Sequence, residues 1–143
     1  MLAVSDLMSC ELVTVGETES LHEVEALLRR HGIRHLPVVR GHRLVGLVTH
    51  RDLLSALERD RAQAGGDPLW TSDFMSVDLV TVGPRTPLRD AVALLLERKI
   101  GCLPVVDPND RLLGILTESD LVRYAAAAIE ASDRREAGAG YNA

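Results

Sequence analysis

Two copies of one short motif carry the most specific chemistry in this sequence. GLVTHRD runs from Gly46 to Asp52, and GILTESD runs from Gly114 to Asp120. In each copy a threonine precedes an aspartate by three residues, which is the spacing of a helix-capping box. A glycine also precedes each threonine by three residues, where it weakens a strand and often marks the close approach of a ligand. Because a cap does not require that glycine, the motif predicts a ligand contact as well as a helix start.

The other reactive side chains form no catalytic or metal-binding pattern. The five histidines show no pair with the spacing of a helical zinc site. Cys102 lies in an apolar strand, where a free thiol is usually an inert core residue. The sequence also lacks the G-x-S-x-G motif of hydrolases and the glycine-rich phosphate-binding loop. We therefore predict that the protein is not an enzyme and has neither a catalytic cofactor nor a metal site.

Composition and charge narrow the class of protein further. The chain has 143 residues, 46% of them hydrophobic, and a formal net charge of −5. An acidic chain without a clustered basic excess argues against a nucleic-acid partner. No apolar run approaches the ~20 residues of a membrane span, and the first dozen residues lack the basic start of a signal peptide. These features predict a cytoplasmic protein with no membrane partner.

The chain consists of one unit written twice. A shift of 67 residues aligns residues 6–39 with residues 73–106, with identical residues at 17 of 34 positions. The shift becomes 68 after one inserted residue, and RLVGLVTHRDL then aligns with RLLGILTESDL. Internal repetition of this strength decides the architecture before any other signal.

Each repeat shows the same order of predicted elements. LVTV predicts a strand, an amphipathic helix follows, then two strands joined by a tight turn, and a final helix. Ser20 with Glu23 predicts the cap of the first helix, and Thr86 before Pro87 predicts the cap of its counterpart. The fold class is therefore α/β, of the α+β type with small mixed sheets: tandem β-α-β-β-α repeats packed as a pseudo-two-fold pair. The boundaries are repeat 1 at 1–62, a linker at 63–72, repeat 2 at 73–131, and a disordered tail at 132–143.

The joint pattern resembles the cystathionine-β-synthase (CBS) domain family. GLVTHRD and GILTESD are similar to its signature, and so are the two LPVV segments and the two DxMS openings. The resemblance covers both repeats, from about Asp6 to Ala126. It implies a regulatory pair of domains of the stand-alone kind, active in energy sensing. It also implies a homodimer formed through helices and an adenosine-containing ligand, such as AMP, ADP, ATP or S-adenosylmethionine, in the clefts between the repeats.

The resemblance assigns roles to particular residues. Asp52 and Asp120 match the aspartate that accepts hydrogen bonds from both ribose hydroxyls, and a carboxylate is suited to that. Thr49 and Thr117 match a threonine that contacts ribose or phosphate while it caps the helix. The remaining expected ligand contacts are the motif glycines, the apolar adenine slot with the strand residue Cys102, and a polar residue reaching the opposite repeat: Gly46, Gly114, Ile33, Ile100, Pro37, Pro104, Cys102 and Thr86.

The two repeats differ at the positions around these contacts. Arg34 and His35 in the first repeat align with Gly101 and Cys102 in the second, and Arg51 has no basic counterpart. In the resembled family, basic residues at such positions accompany phosphorylated ligands. We therefore expect two unequal sites, with the Asp52 site preferred by a phosphorylated adenosine.

A second hypothesis is a structural module without a ligand. In that case the duplicated cap only builds the fold, and the leucine-rich helices form a dimer or a surface for an unknown regulated protein. Stabilisation by an adenosine compound separates the two hypotheses, because only a ligand that binds the folded state raises its stability.

Overall fold

The structure is a computed structural model, and it describes residues 1–141. Its elements are, in chain order, α1 (Val4–Leu7), α2 (Leu21–His31), β1 (His35–Arg40), β2 (Arg43–Thr49), α3 (His50–Ala62), α4 (Thr71–Phe74), α5 (Leu88–Arg98), β3 (Cys102–Val106), β4 (Leu112–Thr117) and α6 (Glu118–Tyr141). None of these helices is both long and apolar enough to span a membrane.

Each repeat contains one antiparallel hairpin, and the two hairpins have matching registers. β1 pairs with β2, and β3 pairs with β4, each with a register shift between the two consecutive valines of its first strand. The mixed α/β class with two small sheets is therefore confirmed. The predicted LVTV strands are shorter than expected, because Val15 and Val82 each form only an isolated parallel bridge, to Val38 and Val105. The flanking residues of each segment lie against the clefts described below instead of extending the sheet.

The two hairpins join at their turns. The Leu44 amide donates to the carbonyl of Asp110 at 2.9 Å, and the Leu112 amide donates to the carbonyl of His42 at 3.0 Å. Arg43 and Asp110 add an exposed ion pair at 3.8 Å. These bonds tie the repeats together at the turn end of the two hairpins.

The capping prediction holds for α2 and fails for α5. Ser20 accepts a hydrogen bond from the Glu23 amide at 3.1 Å, as its spacing predicts. The Thr86 hydroxyl instead accepts from the Gly83 amide at 3.1 Å, and Pro87 stands at the start of α5. Thr86 therefore closes the turn before the helix, because its side chain finds an amide donor upstream.

The opening segments of the repeats change partners. Val4 in α1 is buried in the core of the second repeat, and the Ser9 amide donates to Ile115 at 2.9 Å. Phe74 in α4 is buried in the core of the first repeat, and the Ser76 amide donates to Leu47 at 2.8 Å. Each core is thus completed by the opening of the other repeat, so the sequence repeats are not independent packing units.

Two predicted irregular segments differ in the structure. The linker at 63–72 is not free of packing, because Leu69 is buried in the first core and α4 begins at Thr71. The tail, predicted to be disordered, continues as α6 to Tyr141, and residues 142–143 lie outside the described residues. The good helix formers at 134–137, two arginines, a glutamate and an alanine, extend a helix already begun at Glu118.

Candidate functional site

Both Thr–Asp motifs form the capping boxes that their spacing predicts. The Asp52 amide donates to the Thr49 hydroxyl at 3.2 Å, and the Asp52 carboxylate accepts from the Thr49 amide at 2.9 Å. In the second copy the corresponding distances for Thr117 and Asp120 are 3.3 and 2.8 Å. The motif thus begins α3 and α6 and places one carboxylate at each helix start.

The two carboxylates differ in their surroundings. Asp120 is buried, whereas Asp52 is half-buried. The Thr117 hydroxyl also donates to Asp120 Oδ2 at 3.1 Å, and Arg123 Nη2 donates to Asp120 Oδ1 at 2.6 Å. Among the described residues, Asp52 receives only the Thr49 amide bond. Asp52 therefore keeps more of its acceptor capacity for an outside partner.

The first cleft, called here the Thr117 cleft, has a volume of about 370 Å³. The start of α6 forms one side through Thr117 and Asp120, and the strand entrance of the first repeat forms the other through Ile33 and Pro37. The remaining polar lining includes Ser9, Glu11, Arg34, His35, Glu118, Ser119 and Arg123. A buried carboxylate thus shares one cleft with an apolar wall from the opposite repeat.

The second cleft, called the Thr49 cleft, has a volume of about 570 Å³. Thr49 and Arg51 line it from the first repeat, and Ile100, Cys102 and Pro104 line it from the second. Its charged lining consists of three cations and two carboxylates: Arg34, Arg51, Lys99, Asp78 and Glu118. In both clefts the helix start of one repeat faces the strand entrance of the other.

One wall separates the two clefts. Arg34, His35, Gly101 and Glu118 line both of them. The His35 ring lies so close to Gly101 that a Cβ on this glycine would stand 3.0 Å from His35 Nε2. Burial lowers the pKa of His35, and Arg34 adds to this while Glu118 opposes it. The surroundings of His35 therefore favour its neutral ring over the charged one.

Cys102 takes the position that His35 takes in the other repeat. Burial, with a smaller contribution from the Glu118 charge, raises the pKa of its thiol to about 12. A thiol that keeps its proton is a poor nucleophile and a poor metal ligand. Across the described residues, no three His, Cys, Asp or Glu side chains group closely enough to hold a metal ion.

Comparison with protein families identifies this arrangement. The CBS domain model matches residues 4–59 and 72–127, which together make up more than half of the chain. The chain belongs to the CBS domain family. Its two matched ranges coincide with the two sequence repeats, and its fold has the two small sheets and paired clefts described above.

Several known CBS proteins are similar to this chain over most of its length. The CBS domain-containing protein YhcV of Bacillus subtilis is 36% identical over 121 residues, covering 85% of this chain and 84% of YhcV. The structure of CBSX2 of Arabidopsis thaliana in complex with AMP is 34% identical with a TM-score of 0.78, covering 91% of this chain and 99% of CBSX2.

A second solved structure holds other ligands. The CBS domain pair of MJ0100, solved with 5′-methylthioadenosine and S-adenosylmethionine, is 26% identical with a TM-score of 0.80 and covers 90% of this chain and 98% of that domain pair. The chain also matches parts of longer proteins, spanning 22% of the inosine-5′-monophosphate dehydrogenase of Korarchaeum cryptofilum and 46% of MJ1225 of Methanocaldococcus jannaschii.

The structure gives the motif glycines a different role from the predicted one. A Cβ at Gly46 would stand 2.6 Å from Met75 Sδ, and a Cβ at Gly114 would stand 2.9 Å from the carbonyl oxygen of Ser9. The opening segment of the other repeat therefore makes a close approach to each glycine. Gly46 and Gly114 line neither of the two clefts, and their role as ligand contacts stays a prediction.

Two other predicted contacts lie away from the cleft linings. Thr86 accepts a bond from the Val4 amide through its carbonyl and lines neither cleft. Asp52 also stands outside the lining of the Thr49 cleft, although its capping partner Thr49 lines it. Arg34 and His35 line both clefts, so the structure does not assign them to the Asp52 site alone.

Sequence reasoning missed several lining residues in this CBS pair. Glu11–Val13 line the Thr117 cleft, and their repeat equivalents Asp78–Val80 line the Thr49 cleft. The repeat alignment could have predicted these residues, because the two segments occupy matching positions after the DxMS openings. Lys99 and Arg123 gave no such signal, since they align with Gly32 and Ser55.

Proposed function

We propose that this CBS pair is a regulatory module that binds an adenosine-containing ligand in the clefts between its repeats. The observation that carries the proposal is the Thr117 cleft, where the buried Asp120 carboxylate and an apolar wall of Ile33 and Pro37 share one concave space. A carboxylate accepts strong hydrogen bonds from vicinal hydroxyls, and an apolar slot suits a flat base. The ligands of CBSX2 and MJ0100 are all adenosine derivatives.

We further propose that a phosphorylated adenosine prefers the Thr49 cleft. This cleft has three cations against two carboxylates, whereas the Thr117 cleft has two cations against three carboxylates. The additional cations, Arg51 and Lys99, line only the Thr49 cleft. Arginine and lysine both bind phosphate, and a site with excess positive charge favours an anionic ligand.

The signal is then passed on through a homodimer. Leu54 on α3 and Val122 on α6 occupy equivalent repeat positions, and both are exposed. Leu96 and Ile129 are exposed on α5 and α6 as well. Apolar side chains repeated on the helices suit a second copy of the chain. A ligand that binds one dimer conformation better than the other shifts their populations. This activity requires no membrane and suits a cytoplasmic regulator.

A thermal-shift screen tests the central proposal. Wild-type protein is heated with AMP, ADP, ATP, NAD or S-adenosylmethionine, and a ligand at 100 times its Kd adds about 2.7 kcal/mol of stability. A double variant, Asp52→Asn with Asp120→Asn, keeps an acceptor for each cap but lacks the charge that grips ribose. We expect a rise in Tm for the wild type and a smaller rise for the double variant. Equal rises would contradict the role of the carboxylates.

Calorimetry of single variants tests the preference for the Thr49 cleft. We expect Asp52→Ala to lose more AMP affinity than Asp120→Ala, and equal losses would contradict the preference. The same data address the structural alternative, which the exposed helix residues favour. No stabilisation by any adenosine compound, together with a tight dimer in solution, would support a scaffold in place of a sensor.

A further inference from the structure

Arg123 stands apart from the repeat symmetry of the Thr117 cleft. Its guanidinium lines the cleft and contacts Asp120 at 2.6 Å, in an ion pair whose side chains are 72% and 8% exposed. The equivalent residue after Asp52 is Ser55, which is exposed on α3. One repeat therefore has an exposed cation on its motif carboxylate, and the other repeat has none at that position.

The contact with Arg123 limits the number of hydrogen bonds that Asp120 can accept from a ligand. A carboxylate offers about four lone-pair sites on its two oxygens. The Thr117 amide and hydroxyl use two of them on Oδ2, and Arg123 uses a third on Oδ1. Two ribose hydroxyls need two sites, so only one hydroxyl is satisfied while Arg123 stays in place. Asp52 has a single internal bond in the described structure and needs no such exchange.

We infer that Arg123 is a specificity-determining residue that exchanges Asp120 for the ligand's phosphate when the Thr117 cleft fills. This inference rests on the proposed binding of an adenosine-type ligand. When the ribose takes Oδ1, the guanidinium loses its partner inside a cleft that it still lines. A phosphate on the ligand replaces that partner, because arginine binds phosphate through paired N–H donors. Adenosine without phosphate offers no replacement, so it binds at a disadvantage.

The exchange predicts opposite effects of one substitution on two ligands. In an Asp52→Asn background, which removes the motif carboxylate beside the Thr49 cleft, Arg123→Ala frees Asp120 for ribose and removes the phosphate partner. We expect adenosine to bind about threefold more tightly and AMP about threefold more weakly, the scale of a partly exposed ion pair. Isothermal titration calorimetry with each ligand measures both changes, and Arg134→Ala, an exposed arginine on the same helix, is the control.

A transplanted arginine tests the same exchange in the first repeat. Ser55→Arg places an arginine three residues after Asp52, on an exposed position that tolerates a long side chain. In an Asp120→Asn background, which isolates the Thr49 cleft, we expect adenosine affinity to fall about threefold and AMP affinity to fall less. The variant keeps the inference testable if the Asp52→Asn background proves unstable.

The outcomes separate this inference from the proposed function. Opposite changes for adenosine and AMP, with no change in the Arg134→Ala control, support the exchange. Changes in the same direction, or no change in either ligand, overturn it while leaving the binding proposal intact. If Asp52→Asn binds neither ligand although the wild type does, the Thr117 cleft is not a nucleoside site and the inference falls. If the wild type binds neither ligand, the proposed function fails first.

Discussion

The Thr49–Asp52 and Thr117–Asp120 motifs begin two helices in the same way, yet their carboxylates have different surroundings. Asp120 is buried and accepts bonds from Thr117 and Arg123, whereas Asp52 is half-buried and accepts only the Thr49 amide bond in the described structure. The capping geometry depends on the two motif residues alone. How much of each carboxylate stays available to a ligand depends on residues outside the motif. Two repeats with the same fold can therefore carry unequal sites.

The largest effect we expect tests whether the two cores are equivalent. Leu36 and Leu103 occupy matching strand positions, and both side chains are completely buried. Leu36→Ala and Leu103→Ala should each lower the free energy of unfolding by about 2–5 kcal/mol, because each leaves a cavity in a packed core. Urea denaturation measures both losses.

Exposed Leu96→Ala is the control for that comparison and should change stability little. Because each core includes the other repeat's opening segment, we also expect a single cooperative transition in both core variants. Two separate transitions would show that the halves unfold independently, in conflict with the crossed packing of Val4 and Phe74.

The motif glycines should show a smaller and unequal effect. A Cβ at Gly114 meets the Ser9 backbone oxygen at 2.9 Å, whereas a Cβ at Gly46 meets chiefly the Met75 side chain at 2.6 Å. A thioether moves aside more easily than backbone, so Gly114→Ala should destabilise the protein more than Gly46→Ala, within the roughly 1–3 kcal/mol of overpacking. Urea denaturation with Gly16→Ala as the unhindered control measures this order, and the reverse order would contradict the packing.

The smallest effect concerns the shared wall. Burial lowers the pKa of His35 in the folded protein, so the unfolded chain binds the proton more readily than the folded protein does. The resulting stability is present above the ordinary histidine pKa of about 6.5 and is lost as the pH falls toward the folded value. His35→Gln should therefore reduce the loss of Tm between pH 7.5 and pH 5. His42→Gln, in an exposed turn, is the control, and an equal reduction there would remove His35 as the cause.

The repeat, the two hairpins and both capping boxes were predictable because they depend on short-range pattern. The roles of Gly46 and Gly114 were not predictable. A glycine in a strand indicates that another group comes close to the backbone, but it does not show whether that group is a ligand or another part of the chain. The sequence suggested a ligand, and the structure shows the crossed opening segments. The partner of Thr86 depends on a local turn, and the place of Arg34 between both clefts depends on contact across the repeats.

The two clefts share a thin wall formed by Arg34, His35, Gly101 and Glu118. Because of this shared wall, we expect binding in one cleft to change the free energy of binding in the other. A molecule that moves the His35 ring off Gly101 on one side reshapes the opposite side. Arg34 lines both clefts, so two anions bound at the same time share one guanidinium, and each is bound less strongly than a single anion. Thermodynamic reciprocity then requires each occupant to alter the other's affinity by the same factor. Titrations of this protein should therefore be fitted as two linked equilibria and not as two independent ones.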